Sequence, residues 1–200
     1  MTAAAEVPDG RRLRREQNRE AVIDALVELF EEGRYQPSSA EIAERAGLSS
    51  RSLFRYFDDV DDLNHAAIER QLAKARPLLA IGVGPDAPTA EKIRHLVAAR
   101  VKLHETTAHA ARATRASAHR RTVIAAQLHD GRSYLRHQIE RLFAAELDGA
   151  ETTLLPAVDA LCSFETYELL RHDQGLSRPK VTAALVAALT ALLAPSGGSR

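Results

Sequence analysis

Several residue types that build special sites are scarce in this 200-residue chain, which has one cysteine, one methionine and no tryptophan. A single thiol, Cys162, excludes an internal disulfide and a zinc site made of thiolates, as is typical of proteins kept in a reducing cytoplasm. Long apolar runs are also absent: no stretch approaches the roughly 20 residues that cross a membrane, and residues 1–10 lack the apolar segment of a signal peptide. We therefore expect a cytoplasmic protein with no membrane partner.

Patterns typical of β-strands are missing as well. No segment alternates apolar and polar β-branched residues, whereas Ala, Leu, Glu and Arg are abundant, which favours helices. The glycine- and proline-rich stretch 81–89 is predicted to be a loop. The sequence predicts an all-α fold of about nine helices, at residues 13–32, 39–46, 49–56, 60–79, 90–106, 111–129, 131–147, 152–173 and 178–193.

The net charge of zero, from 27 basic and 27 acidic residues, does not by itself favour a nucleic-acid partner. The charge is uneven, however, because residues 11–19 include five arginines and residues 92–141 carry eleven Lys and Arg against three acidic residues. Motifs typical of enzymes, such as H-E-x-x-H, G-x-S-x-G and a glycine-rich phosphate loop, do not occur. We therefore expect a protein that is not an enzyme and has neither a cofactor nor a bound metal.

Two short helices are predicted close together near residue 45. Ser38 and Glu41 have the spacing of a capping box, which begins the first helix. Gly47 ends it, and Ser49 or Ser50 begins the second helix after a turn of only three or four residues. Two short helices joined by a tight turn are the helix-turn-helix pattern.

Three segments around this pattern resemble a known family. VIDALVELF at 22–30, SSAEIAERAGLS at 38–49 and LFRYF at 53–57 resemble the DNA-binding domain of the TetR family, and the resemblance covers about residues 19–70. It implies a helix-turn-helix domain at 1–57, with 1–12 as a disordered arm, and a ligand-binding and dimerisation domain at 58–200. It also implies a homodimer that represses transcription from a palindromic DNA operator and is released by a small-molecule effector.

The resemblance places the second short helix in the major groove of DNA. Arg51 is the first candidate for a base contact because a guanidinium can grip guanine with two hydrogen bonds; a phosphate contact is the alternative. The basic arm either reaches a phosphate or the minor groove or is a solvated tail. The predicted DNA-binding residues are Ser38, Ser39, Ser49, Ser50, Arg51, Ser52, Phe54, Arg55 and Tyr56, with Arg12 and Arg15 from the arm.

The positive charge of residues 92–141 predicts a pocket for an anionic or amphiphilic effector, unless these arginines face solvent or pair with acidic helices. The candidate ligand-binding residues are His104, Arg112, Arg115, Arg120 and Glu165, and an exposed rim position is the alternative for Glu165. The histidines are dispersed without an i,i+4 pair, which favours ordinary surface or core positions over a metal sensor.

The resemblance also implies that the last two helices form the dimer interface, although their apolar pattern would equally suit an internal core. The predicted interface residues are Leu155, Val158, Cys162, Leu185, Leu189 and Leu192. The alternative function is a helical protein-interaction module without sequence-specific DNA binding. Such a module would need neither the turn spacing nor an arginine on the outer face of its short helix.

Overall fold

A computed structural model describes residues 10–119 and 121–194, and these residues form ten α-helices and no strand, which confirms the predicted all-α fold. A 3₁₀ turn, Arg76–Leu79, extends the fourth helix, and a π-helical turn, Leu169–Asp173, extends the ninth. The helices are α1 (Gly10–Glu31), α2 (Ser39–Arg45), α3 (Ser50–Leu53), α4 (Val60–Ala75), α5 (Thr89–Ala118), α6 (Thr122–Leu142), α7 (Ala144–Leu147), α8 (Leu154–Leu161), α9 (Phe164–Glu168) and α10 (Arg178–Leu192).

The predicted signals at the ends of α2 are confirmed. Ser38 accepts a hydrogen bond from the Glu41 backbone N–H, and the Glu41 carboxylate accepts one from the Ser38 N–H at 2.7 Å, so both halves of the capping box are present. Gly47 has φ of +67°, a left-handed conformation that glycine adopts without steric cost. The tight turn that follows sets α2 and α3 against each other.

The helices bury two apolar cores. The N-terminal core is formed by α1, α2, α3 and the first half of α4, and the C-terminal core by α5, α6, α8, α9 and α10. The long helix α5 joins them: Ala113 belongs to the N-terminal core, and Leu96 and Val101 belong to the C-terminal core. This shared helix gives a direct mechanical connection between the two parts of the molecule.

The predicted domain boundary between residues 57 and 58 remains a prediction. Leu63 and Ala67 of α4 lie in the N-terminal core, so packing continues across this point of the chain. Ion pairs strengthen that attachment, because Arg70 of α4 pairs with Glu20 and Asp24 of α1.

The prediction of a break near residues 107–110 and of another at Gly131 was wrong. Helix α5 runs through the first position, where the Thr106 and Thr107 hydroxyls donate to backbone carbonyls one turn earlier and so fit within the helix. Helix α6 runs through Gly131, which is exposed and has a negative φ. Glycine weakens a helix but does not end it when the flanking residues pack.

The prediction of a single helix at 152–173 is also wrong, because the helix is interrupted at Cys162 and Ser163. Ser163 has an extended backbone, and its hydroxyl accepts a hydrogen bond from the Thr166 N–H, so it begins a new helix inside the predicted one. Helix α3 is likewise shorter than predicted: after Leu53 the hydrogen bonds of Arg55 and Tyr56 close tighter, three-residue turns.

The predicted disordered arm at 1–12 is corrected at its end, since α1 begins at Gly10; residues 1–9 lie outside the described part of the chain. The first turns of α1 therefore hold their arginines on a helix. An 18-residue apolar window that could cross a membrane does not occur in any described helix.

Four of the predicted dimer-interface residues are internal. Val158, Cys162, Leu185 and Leu189 are at most 5% exposed in the single chain and pack together in the C-terminal core, so they offer almost no surface to a second copy. Leu155 is partly buried against the same core, and Leu192 is 39% exposed. The sequence showed the apolar stripe of α10 correctly but not which partner covers it.

Candidate nucleic-acid interface and ligand cavity

Helix α3 presents a polar face at one end of the molecule. Ser49 caps the helix by accepting a hydrogen bond from the Ser52 N–H, and its hydroxyl also lies 2.9 Å from that of Ser52. On the outer face Ser50 and Arg51 are exposed, while Leu53 is fully buried and anchors the helix. The arrangement leaves the Arg51 guanidinium facing outward.

The turn after α3 continues this surface. Phe54 is 47% exposed and Arg55 is exposed, whereas Phe57 is buried under the guanidinium of Arg19, which lies 5.0 Å from the ring centre. The Tyr56 hydroxyl accepts a hydrogen bond of 2.9 Å from the Asn18 side-chain amide. Its own proton then remains the group that can donate to a phosphate oxygen.

A basic concavity lies between the start of α1 and the end of α3. It combines four arginines with two polar side chains, so an anionic backbone is the partner that its charge favours. Arg15 lies in this concavity, whereas Arg12 is exposed outside it, and the contacts of both with DNA remain predictions. Its lining residues are Arg11, Arg14, Arg15, Asn18, Arg55 and Tyr56.

Ser38 and Ser39 lie at the N-terminus of α2. The Ser38 hydroxyl is engaged by Glu41, to whose carboxylate it donates at 2.8 Å. Its side chain is therefore committed to the cap, and Ser39, half-buried in the first turn of α2, is the freer hydroxyl. Contacts of both residues with phosphate remain predictions.

The acidic segment 58–62 has a local structural role. The Asp59 carboxylate accepts hydrogen bonds from the backbone N–H groups of Asp61 and Asp62 and so caps α4. The Asp61 carboxylate pairs with Arg121 at 2.8 Å. The helix cap and the ion pair partly offset the negative charge of Asp59 and Asp61, which would otherwise repel a neighbouring phosphate backbone.

A second concave site is a cavity of about 360 Å³ between α4, α5 and α6. Its wall is mainly apolar, with Leu103 from α5, Leu128 and Leu135 from α6, and Phe164 from α9. Leu72 and Tyr134, both about half-exposed, also line it and mark an apolar mouth. A largely apolar cavity with a few polar groups is the usual form of a small-molecule site.

His104, one of the predicted ligand-binding residues, lines this cavity and is only 5% exposed. Its Nε2 lies 2.9 Å from the Cys162 carbonyl oxygen, and the ring packs against both Phe164 and Tyr167. Burial lowers the pKa of His104 to about 4, so the ring is neutral at pH 7. Because a carbonyl accepts only, Nε2 carries the proton and Nδ1 keeps a lone pair.

Arg115 lies in the cavity wall, but its guanidinium is committed. Nε and one terminal nitrogen donate to the Glu165 carboxylate, at 2.9 and 3.3 Å, and the other terminal nitrogen donates to the Ala111 carbonyl. Arg132, at the exposed edge of the cavity, pairs with the same carboxylate. Burial raises the pKa of Glu165, but the hydrogen bonds from Arg115 and from the backbone, together with the charges of Arg115 and Arg132, outweigh it and lower the pKa to about 2.

The other two predicted ligand-binding arginines, Arg112 and Arg120, are not among the described residues that line the cavity. Arg112 does not line the cavity and forms a bidentate pair with Glu168, at 2.7 and 2.9 Å, while also donating to the Tyr35 hydroxyl. It therefore links α9 to the segment that follows α1. Arg120 lies outside the described residues.

Sequence reasoning missed most of the polar residues that line the cavity, among them Thr107, Thr114 and Gln127. The two threonines lie on the same face of α5 as His104: Thr107 follows His104 by three residues, and Thr114 follows Thr107 by seven. Polar residues recurring at helical spacing within a buried stripe are the signal that would have identified them. Gln127 lies on α6, a helix whose bounds were wrongly predicted from the sequence.

The histidines are dispersed in the structure. His109 Nδ1 lies 3.0 Å from the Phe30 carbonyl and its ring lies against Tyr35, which adds a contact between α5 and the end of α1. Across residues 10–119 and 121–194, no group of three His, Cys, Asp or Glu side chains has a geometry that could hold a metal ion.

Comparison with known proteins agrees with this architecture. Residues 22–67 match the family model described as bacterial regulatory proteins, tetR family. The sequence matches none of the curated proteins significantly.

Several solved structures share the fold along most of the chain. A transcriptional regulator from Rhodococcus sp. Rha1 superposes with a TM-score of 0.67 at 20% identity, covering 88% of this chain and 95% of that one. A TetR-like transcriptional regulator from Rhodococcus sp. RHA1 gives 0.65 at 17% identity, covering 94% and 100%. A tetR-family regulator from Streptomyces coelicolor gives 0.63 at 20% identity, covering 88% and 80%. Residues 22–67 are thus similar to the N-terminal domain of the tetR family of bacterial regulatory proteins, and the described chain shares the fold of these solved regulators.

Proposed function

We propose that this protein is a ligand-responsive transcriptional repressor that binds a palindromic DNA operator as a homodimer. The observation that carries the proposal is the surface formed by α3 and the start of α1. There an outward arginine, Arg51, lies beside a concavity lined by Arg11, Arg14, Arg15 and Arg55. In such a surface the concavity would hold phosphates and fix the register, and α3 would read base edges in the major groove.

In this proposal the residues have distinct roles. Arg51 donates two hydrogen bonds to a guanine, which discriminates against other bases by about 1–3 kcal/mol. Ser50 and Ser52 stand beside it on α3, and Tyr56 donates its hydroxyl proton to a phosphate. Ser39, Ser49, Phe54 and Arg55 complete the expected contacts with the backbone, and Arg12, which lies outside the concavity, is expected to contribute less than Arg15.

The homodimer is proposed to form through the exposed face of α10. Ala183, Ala184, Ala187 and Ala191 are exposed there together with Leu192, and no charged residue interrupts them. Small side chains allow two helices to approach closely, and a two-fold axis makes the same face serve both subunits. This face replaces the buried stripe that the sequence suggested.

The cavity between α4, α5 and α6 is the proposed effector site. Helix α4 lines it and also packs in the N-terminal core, through Leu63 and Ala67. A ligand that moves α4 relative to α5 would therefore shift α3, and the spacing of the two reading helices in a dimer would change. Loss of DNA binding in the presence of the effector follows from that change.

Selection of bound duplexes from a random pool, followed by binding measurements with Arg51→Ala, tests the proposal. We expect a symmetric sequence of two half-sites and, for the variant, loss of preference at one base pair in each. A protein-interaction module would instead show no enrichment over non-specific binding at physiological salt, and that result would contradict the proposal. A selected sequence without symmetry would refute the dimeric part of it.

A further inference from the structure

The polar groups on the α5 wall of the cavity share a feature that sets the chemistry of a bound molecule. Thr107 donates its hydroxyl proton to the Leu103 carbonyl at 2.8 Å, and Thr114 donates its proton to the Ala110 carbonyl at 2.7 Å. With these protons committed, each hydroxyl faces the cavity with lone pairs only.

His104 has the same polarity. Its Nε2 proton is donated to the Cys162 carbonyl, and Nδ1 accepts no hydrogen bond from any residue in the described ranges. The ring borders the cavity, so a bound molecule meets an acceptor here too. Three of the polar groups on this wall therefore donate their protons to backbone carbonyls and can only accept hydrogen bonds from a ligand.

Gln127, on the opposite wall, adds a fourth acceptor. Its amide nitrogen donates to the Glu69 carboxylate at 3.3 Å, which fixes the orientation of the amide because the oxygen would be repelled there. The amide oxygen is buried and lacks a partner within the described chain. A buried acceptor without a donor is costly, and a donor brought by a ligand would relieve that cost.

The cations near the cavity do not reverse this polarity. The Arg115 guanidinium is turned to Glu165 and to the Ala111 carbonyl, and Arg132 is paired at the exposed edge. Arg76, the third arginine that lines the cavity, is exposed to solvent on the 3₁₀ turn after α4 and does not belong to the α5 wall. An anionic head group placed against the α5 wall would meet lone pairs of Thr107, Thr114 and His104, and it would lose hydration without gaining a donor. An anionic effector, which the charge of residues 92–141 suggested, is therefore disfavoured at this wall.

We propose that the effector is an uncharged, mainly apolar molecule that presents an O–H or N–H donor to Thr107, Thr114 and His104. This inference rests on the proposed function, in which the cavity is the effector site. The apolar side chains around the cavity would bury the body of the molecule, and the acceptors would orient its polar end. An alcohol or a phenol with an alkyl or aromatic body has this chemistry.

Three probes of the same shape test the inference: p-hexylphenol, which can donate; p-hexylanisole, in which a methyl group replaces the proton; and p-hexylbenzoate, which is anionic. Binding is measured by isothermal titration calorimetry at pH 7.5. Because a hydrogen bond is worth about 0.5–1.5 kcal/mol net, we expect the phenol to bind about two- to tenfold tighter than either other probe.

Thr107→Val and Thr114→Val remove the acceptors while keeping the β-branched shape. The double variant should weaken binding of p-hexylphenol about tenfold and change that of p-hexylanisole by less than about twofold. Thr106→Val is the matched control, since Thr106 makes the same bond to a carbonyl one turn earlier but is exposed outside the cavity.

Failure of this inference is distinct from failure of the proposed function. Absence of phenol binding, tighter binding of the anisole or the benzoate, or an unchanged phenol affinity in the double variant would each overturn the ligand class. Operator binding by the same protein samples is measured in parallel by fluorescence anisotropy. A protein that binds its operator and prefers the benzoate remains a regulator with a different effector, whereas one that binds no operator loses the regulator assignment whatever the probes show.

Discussion

At the scale of single residues, His104 couples the cavity to the stability of the fold. The neutral ring is buried, and its pKa of about 4 lies below the value of 6.5 for an exposed histidine. Between these pH values the unfolded chain binds a proton that the folded chain does not, so falling pH favours unfolding. The free energy of unfolding begins to fall near pH 6.5, and the decrease is complete below about pH 4, where it totals about 3 kcal/mol.

Substitution of His104 by Gln tests this coupling. A glutamine Nε2 can donate to the Cys162 carbonyl in place of the imidazole Nε2, but the amide does not titrate. Between pH 7 and pH 5 the free energy of unfolding of the natural protein should therefore fall by about 2 kcal/mol more than that of His104→Gln. Urea denaturation at both pH values measures the difference, and equal changes in the two proteins would contradict it.

At the scale of helices, local signals were reliable where the backbone itself needs a particular residue. Ser38 with Glu41 and Gly47 each satisfy a need of a helix end, so sequence alone located α2 and the turn after it. The longer helices were misjudged because Gly131 and the Thr106–Thr107 pair are poor helix formers that tertiary packing overrides. Ser163 showed the opposite error, since its capping role was hidden inside an apolar pattern.

Gly131 and Gly47 differ in backbone conformation, so replacing each by alanine should change the free energy of unfolding in opposite directions. A Cβ added at Gly131 would meet no atom within 4 Å, and its φ is not positive, so Gly131→Ala should raise the free energy of unfolding by about 0.5–1 kcal/mol. Gly47→Ala should lower it by about 1 kcal/mol, because φ is +67° there. Urea denaturation of both variants measures the two effects. Destabilisation by Gly131→Ala would show that the middle of α6 is not an ordinary helix.

The start of α1 is a second element with a measurable role. Arg15 lies in the basic concavity and Arg12 lies outside it, on the same exposed helix. If Arg15 neutralises one phosphate, Arg15→Ala should reduce the slope of log affinity against log salt by about 1, uniformly across DNA sequences. Arg12→Ala is the matched comparison and should change the slope less. Fluorescence anisotropy over a salt series gives both slopes, and equal changes would show that the concavity does not select the phosphate contact.

At the scale of the whole molecule, the sequence predicted the all-α fold and the α1–α3 surface, but only part of the cavity. Cys162 and Leu189 illustrate the limit: an apolar stripe predicts burial, whereas the partner that covers it depends on how α5, α8 and α10 rotate in the packed core. The acceptor wall depends on the same rotation. Thr107 was part of a predicted break, so its place on the wall became visible only with the continuous α5.

Dimerisation is a property of the whole molecule, and we expect it to depend on the outer face of α10. Ala187 is exposed in the middle of that face, and a two-fold axis would bring each substitution into the interface twice. A buried carboxylate without a partner costs about 3–5 kcal/mol, so Ala187→Glu should weaken self-association at least about 100-fold. Ala98→Glu, at an exposed alanine of α5, is the control for the added charge.

Analytical ultracentrifugation together with operator binding separates the possible results of this substitution. A monomeric Ala187→Glu protein that retains its helical circular dichroism should bind a single half-site weakly and gain nothing from a second half-site, because the two α3 helices are no longer linked. The Ala98→Glu protein should remain dimeric and keep the full gain. A dimeric Ala187→Glu protein would instead move the interface away from α10, and the spacing of the two α3 helices would have to be set by another face.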